Sequence, residues 1–243
     1  MNIRQCKYLS SSKFTFCIIF IAGLLSSCTP HVPPEPTSEL SKSLSGFPET
    51  YYQQAQIMGS KVLRINTLHS LVTIKVQRGG VFSQLGHDHI VASRHVTGYV
   101  DITNGRADLY IALDRLTVDE AQLRTEAGLT STPTMAQIEG TKQNMLVKVL
   151  ETNLYPYARV RINKIVNEDA RVSAEIALHG NVRRIQVPIK MQTLQSGITI
   201  DGELVFNQSD FGITPYSVLG GALQVLDQLE LHFKIFTENI QFG

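Results

Sequence analysis

From Lys61 onward apolar residues recur with a period of two, and nothing else in the chain constrains its fold as strongly. In "SLVTIKVQ", Val72, Ile74 and Val76 share one face and Leu71, Thr73 and Lys75 the other. In "ADLYIALD", Leu109, Ile111 and Leu113 lie opposite Asp108, Tyr110 and Ala112. The pattern returns in Val160 and Ile162, in Val172 to Leu178, in Ile185 to Met191, in Ile198, Ile200, Leu204 and Phe206, and in Leu229 to Ile235. Successive side chains of a strand point to opposite faces, so each segment reads as a half-buried β-strand. Turn-forming stretches separate them: "TNGRAD" as an Asn-Gly hairpin, then "NEDAR", "HGNVRR", "QSG" and "DG".

About eight such strands in an antiparallel meander would leave aggregation-prone edges if the sheet stayed open, and closure removes them. The fold class is therefore all-β with one or two helices, an extended eight-stranded antiparallel barrel. At that size a barrel either fills itself with side chains or holds one small or slender ligand. The stretch "TMAQIEGTKQNMLVKVLE" breaks the rhythm, setting Met135, Ile138, Met145 and Val149 on a helical stripe after a shorter helix near "TVDEAQLRTEAG". That helix is expected to cover a mouth or flank of the barrel, with Gly140 as its weak point.

The N-terminal region has a different composition. Arg4, Lys7 and Lys13 precede the apolar run Phe14 to Leu25, too short to span a bilayer comfortably, so residues 1–27 read as a secretory signal. Leu25-Ser26-Ser27-Cys28 resembles the bacterial lipobox, which makes Cys28 the expected lipidation site and the new N-terminus. Cys6 and Cys17, the other two of the three cysteines, fall inside the signal, so the mature body has no internal disulfide and must be held by its core. Thr29 after the cysteine resembles the outer-membrane pattern of Gram-negative lipoproteins, placing an exported domain in the bacterial cell envelope, facing the periplasm. Residues 28–60 hold five of the nine prolines (Pro30, Pro33, Pro34, Pro36, Pro48) among Ser, Thr and Glu, and read as a tether between a membrane-bound lipid anchor and a domain at 61–243. A net charge of +1 without a basic stripe excludes nucleic acid as a partner.

"LGHDH" places His87 and His89 on one face if extended, a spacing that fits two ligands of a metal ion. His95 shares their parity but lies about 20 Å further along a strand. A third ligand would have to come from a loop or a partner chain. The plain alternative is a turn at Gly86, capped by Asp88, with imidazoles bonded to nearby main chain. Gly-x-Ser-x-Gly and His-Glu-x-x-His are both missing, so nothing demands catalysis.

"RINTLHSLVTIKV", "YPYARVRI", "ALHGNVRRIQVPIKM" and "SDFGITPYSVLGGALQVLDQLELHFKI" together resemble the YceI-like, polyisoprenoid-binding, lipocalin-like domain family, over Lys61 to Phe236. The resemblance implies an eight-stranded barrel with a helix, whose apolar lumen takes a long isoprenoid or other lipid-like chain. His69-Ser70, Gly180 and Asp210-Phe211-Gly212-Ile213 match the family's motifs. Gln208 stands where many members have Arg, and "LGHDHIVASRHVTG" replaces a Gly-x-Phe segment, so the chain belongs with a variant group. The expected ligand contacts are His69, Val72, Ile74, Val76, Leu109, Ile111, Val160, Ile162, Val187, Ile189, Phe206, Asp210 and Phe211, with His87 and His89 as the metal pair. Three functions fit: a non-enzymatic, membrane-anchored binder of an isoprenoid or quinone-like lipid, a metal- or haem-linked redox accessory protein, and a structural envelope protein with a filled barrel.

Overall fold

The alternating segments pair into one closed antiparallel sheet. The computed structural model describes residues 47–164 and 169–240, so the expected signal, the lipobox Cys28 and the tether up to residue 46 lie outside the described residues. The strands are β1 (Val62–Ile65), β2 (Leu71–Val76), β3 (Arg78–Gly79), β4 (His89–Ser93), β5 (Val96–Asp101), β6 (Arg106–Ala112) and β7 (Thr117–Val118). After the helical region come β8 (Tyr157–Ile162), β9 (Asp169–Leu178), β10 (Asn181–Thr193), β11 (Ile198–Asn207), β12 (Ser217–Val218), β13 (Leu223–Val225) and β14 (Gln228–Asn239). The order β1-β5-β6-β8-β9-β10-β11-β14 closes on itself through β14–β1, giving the eight-stranded barrel. The first half of β14 also pairs with β2, which carries β4 and β7 outward, while β12, β13 and β3 form a small separate sheet.

Local chemistry sets the register. His179 (φ 49°) and Gly180 (φ 73°) form a two-residue connection between Leu178 and Asn181, both with positive φ as a right-twisting hairpin requires. The interior side chains pack as contiguous clusters, one around Leu63, Val96, Val100 and Ile235 and another around Val172, Val187, Ile189 and Leu204.

The structure revises the expected elements at two places. Residues 49–57, inside the expected tether, form a helix, α1 (Glu49–Ile57), packed on the outside of β1 and β5 and reaching β6 through Tyr52. Tyr52 is fully buried there and donates a hydrogen bond to Asp108 (2.8 Å), and Tyr51 donates to Asp101 (3.1 Å). Asp108 also accepts from Arg106 (2.9 Å) and Arg161 (2.7 Å), so the expected solvated face of β6 is covered and its carboxylate buried among three donors. Burial and that carboxylate together push the Tyr52 phenol far above its ordinary range, which keeps it a donor.

The second revision concerns the helical stretch. After the short α2 (Ala121–Glu126), α3 (Met135–Asn144) begins at a capping box between Thr134 and Gln137 and passes through Gly140 unbroken. It then widens into one i→i+5 turn, in which Leu150 donates its N–H to the Met145 carbonyl (2.9 Å). Beyond Met145 the wider turn shifts the phase of the apolar stripe and brings Leu150 onto the barrel. Met135, expected on the buried stripe, is exposed, whereas Ile138, Met145, Leu146 and Leu150 pack against the barrel.

Candidate functional site

The barrel interior is not packed solid. It encloses a cavity of about 210 Å³, and among the described residues Ser93 and Gln208 are the only polar side chains on its wall. Val72 and Ile74 from β2, Leu109 and Ile111 from β6, and Val160 and Ile162 from β8 stand on this wall. So do Val187 and Ile189 from β10, Phe206 from β11 and Phe211 from the turn that follows. Small side chains at Ala107, Ala158 and Ala174 leave the space, since neighbouring strands lie only about 4.8 Å apart and a bulky residue at each inward position would close it.

A second chamber of about 450 Å³ adjoins the first, with Ile74, Leu116, Leu150, Gln208 and Leu229 belonging to both walls. Met145 and Val149 of the widened turn and Leu223 of β13 cover it, and Arg78, His87, His89, Gln137 and Tyr216 add polar groups to a mostly apolar wall. Val76, expected in the lumen, faces this chamber instead, because β2 runs past the end of the lumen.

The two family-matched polar residues stand elsewhere. His69 is exposed on the turn between β1 and β2, and its neighbour Ser70 is the buried member, accepting from Phe236 N–H (3.0 Å) and donating to the Asn66 carbonyl (2.8 Å). Asp210 is exposed too, and closes a capping box with Asn207 at the start of a short 3₁₀ turn that ends at Gly212 (φ 72°). Neither lines a chamber. The motif they belong to fixes a turn and seats Phe211, which is fully buried and stacks edge-on against Phe206 (5.7 Å).

His87 and His89 do face one chamber, with ring centroids 6.4 Å apart. No group of three or more His, Cys, Asp or Glu side chains placed to hold a metal ion occurs among the described residues. His89 is held by a residue that sequence reasoning missed. Asp119, whose side chain is fully buried, accepts from His89 Nδ1 (2.6 Å), from the Ile90 N–H (3.1 Å) and from Arg124 Nη1 (2.5 Å). Burial alone would raise its pKa, but these hydrogen bonds outweigh burial and hold the carboxyl below its ordinary range, so it is ionised at neutral pH. Asp119 also adopts the left-handed conformation (φ 57°), a conformation that Asp tolerates better than most residues and that recurs at functional sites. Arg124 extends the network to the Asp88 carbonyl (3.0 Å) and Ser131, tying α2 to the "LGHDH" segment.

A closed antiparallel barrel with an apolar lumen and a partly polar chamber at its capped end defines the class of small barrels that hold one slender ligand. The chain belongs to the YceI-like domain family, whose model matches residues 64–236. Its fold is similar to that of a polyisoprenoid binding domain from Saccharophagus degradans implicated in plant cell wall breakdown, at 16% identity, covering 74% of this chain and 99% of that one, with a TM-score of 0.52. It is similar also to BcnA of Burkholderia cenocepacia, at 14% identity over 70% of this chain and 98% of that one, with a TM-score of 0.51. No curated protein matches the chain.

Proposed function

We propose that the chain is a membrane-anchored, periplasm-facing carrier that holds the hydrocarbon tail of an isoprenoid or other lipid-like amphiphile in its lumen, without catalysing a reaction. The wall of the first cavity carries this reading. Water in an apolar space lacks hydrogen-bond partners, and apolar cavities of roughly 150 Å³ stay dry and take up benzene. The lumen here is larger, at about 210 Å³, and its wall is apolar apart from Ser93 and Gln208. The name of the Saccharophagus domain, a polyisoprenoid binder of the same fold, points the same way. A filled structural barrel would have no such space, and a metal pair would lack a third protein ligand among the described residues.

Magnitudes set the ligand's length. Each buried methylene contributes about 0.8 kcal/mol, whereas association costs roughly 4–15 kcal/mol. Tails of fewer than about ten carbons are therefore expected to bind weakly. In a titration of homologous isoprenoid alcohols, affinity rises about fourfold per added carbon until the lumen is full, then levels off. A series with no dependence on length would remove the carrier reading.

The anchor rests on the lipobox and the proline-rich segment after it. A single acyl chain gives only marginal membrane binding, but a diacylglycerol plus a further chain holds stably. Cys28→Ser is expected to move the protein from the membrane fraction to the soluble fraction of its host and to abolish labelling by a fatty acid. Unchanged fractionation and labelling would show that Cys28 carries no lipid.

A further inference from the structure

Two polar side chains on the wall of the outer chamber, His89 and, at its junction with the lumen, Gln208, have a hydrogen-bonding character that the protein fixes. The first belongs to His89. Its Nδ1 is the partner of Asp119, an ionised carboxylate that can only accept, so the ring proton sits on Nδ1. In the neutral imidazole Nε2, the ring's remaining polar atom on a residue that lines the chamber, is then an acceptor. This is the way a buried carboxylate fixes a histidine tautomer.

The second belongs to Gln208, which is buried and lines both spaces. Its Nε2 donates to the Leu226 carbonyl (2.9 Å), an atom that can only accept, and this sets the orientation of the amide. The acceptor Oε1 is left for the cavity. Arg78, the charged side chain on the chamber wall, donates one N–H to the Gly86 carbonyl (2.6 Å) and stands 3.8 Å from Asp88. Thr141, Asn144, Tyr216 and Gln224 also line the chamber and can donate, but Gln208 Oε1 and the Nε2 of a neutral His89 only accept, so a head that pairs with these two atoms must bring a donor.

We propose that the outer chamber is the head-group compartment of the carrier, and that His89 and Gln208 select a head bearing a hydroxyl, as in a long-chain isoprenoid alcohol or a quinol, over phosphate or quinone heads, whose oxygens only accept. The assignment rests on the carrier reading above and deepens it. Asp119 and Arg124 act as positioning residues, holding His89 in the acceptor tautomer. The tail lies in the lumen, the chain passes Leu150, and the hydroxyl donates to Nε2 or Oε1.

The test compares three probes of one C20 isoprenoid tail: the alcohol, its methyl ether and its monophosphate, titrated into the full chain at neutral pH. The alcohol and the ether differ only in the donor. The alcohol is expected to bind about tenfold more tightly than the ether, the effect of one or two hydrogen bonds in a dry site, and more tightly than the monophosphate. His89→Phe and Gln208→Leu are each expected to shrink that preference to about threefold or less while ether binding persists, and the persistence shows that the barrel is folded. Equal affinity of alcohol and ether, or a preference unchanged in both variants, overturns the head assignment and leaves the carrier intact. Tightest binding of the monophosphate overturns it in favour of an anionic head. A stoichiometric zinc or copper ion on wild-type protein that is lost in His89→Phe overturns it in favour of a metal site. Failure of all three probes to bind wild-type protein overturns both this assignment and the carrier reading.

Discussion

Ala174→Phe should empty the barrel of its ligand without unfolding it. Ala174 faces the lumen from β9, directly across the sheet from Ile162 and Ile185. A phenyl ring is the size of benzene, which a cavity of roughly 150 Å³ accommodates, so the ring would block much of the 210 Å³ available. Binding of a C20 isoprenoid should fall by about a hundredfold or more, because several methylenes lose their site. Forcing extra volume into a solid core costs about 1–3 kcal/mol, but here the ring enters free space and stability should change by less. Isothermal titration measures the first effect and urea unfolding the second. A variant that loses several kcal/mol would show that the interior is packed after all.

The largest effect on stability is expected on the opposite face of the sheet. Asp108→Ala removes the acceptor shared by Tyr52, Arg106 and Arg161 and leaves two guanidinium groups, each about a quarter exposed, beside an empty site. Removing one partner of a buried ion pair costs about 3–5 kcal/mol, and the partial exposure of the arginines places this loss near the lower end. Because α1 is held mainly through Tyr52 and its neighbours, the same variant should release residues 49–57 to proteolysis before the barrel unfolds. Urea unfolding and limited proteolysis check both statements. A loss below about 1 kcal/mol would mean that the cluster is solvated and does not hold the helix.

The lumen was legible in the sequence because alternation is a repeated local signal: seven segments each declare an inner face, six of them barrel strands, whereas β1 and β5 are too short or too interrupted by Gly98 to show it. The outer face of β5 and β6 was not. Its cover, "ETYYQQAQI", buries only Tyr52 and Ala55, too few positions to stand out from the proline- and serine-rich residues before it. The signal that could have found it was the trio Arg106, Asp108 and Arg161, charges on a β-hairpin face that a solvated sheet does not need.

The candidate site was half legible. "LGHDH" marked His87 and His89, but no local pattern joins Asp119 to His89 across a sequence separation of 30, and "TVDEAQ" looked like the start of a helix. Leu150 reaches both chambers through the i→i+5 turn, which breaks the 3.6-residue period from which the stripe was read. His69 and Asp210 came from motif matching alone. Their motifs do structural work through Ser70, Asn207 and Phe211, which no spacing argument separates from ligand contact.

The measurement that bears most directly on the carrier reading is the intact mass of the protein isolated from its own host under non-denaturing conditions, alongside Ala174→Phe prepared in the same way. The expected result is wild-type protein carrying one extractable amphiphile of isoprenoid-like mass and a variant without it. Wild-type protein that is recovered repeatedly without any adduct, at the same mass state as the variant, would contradict it.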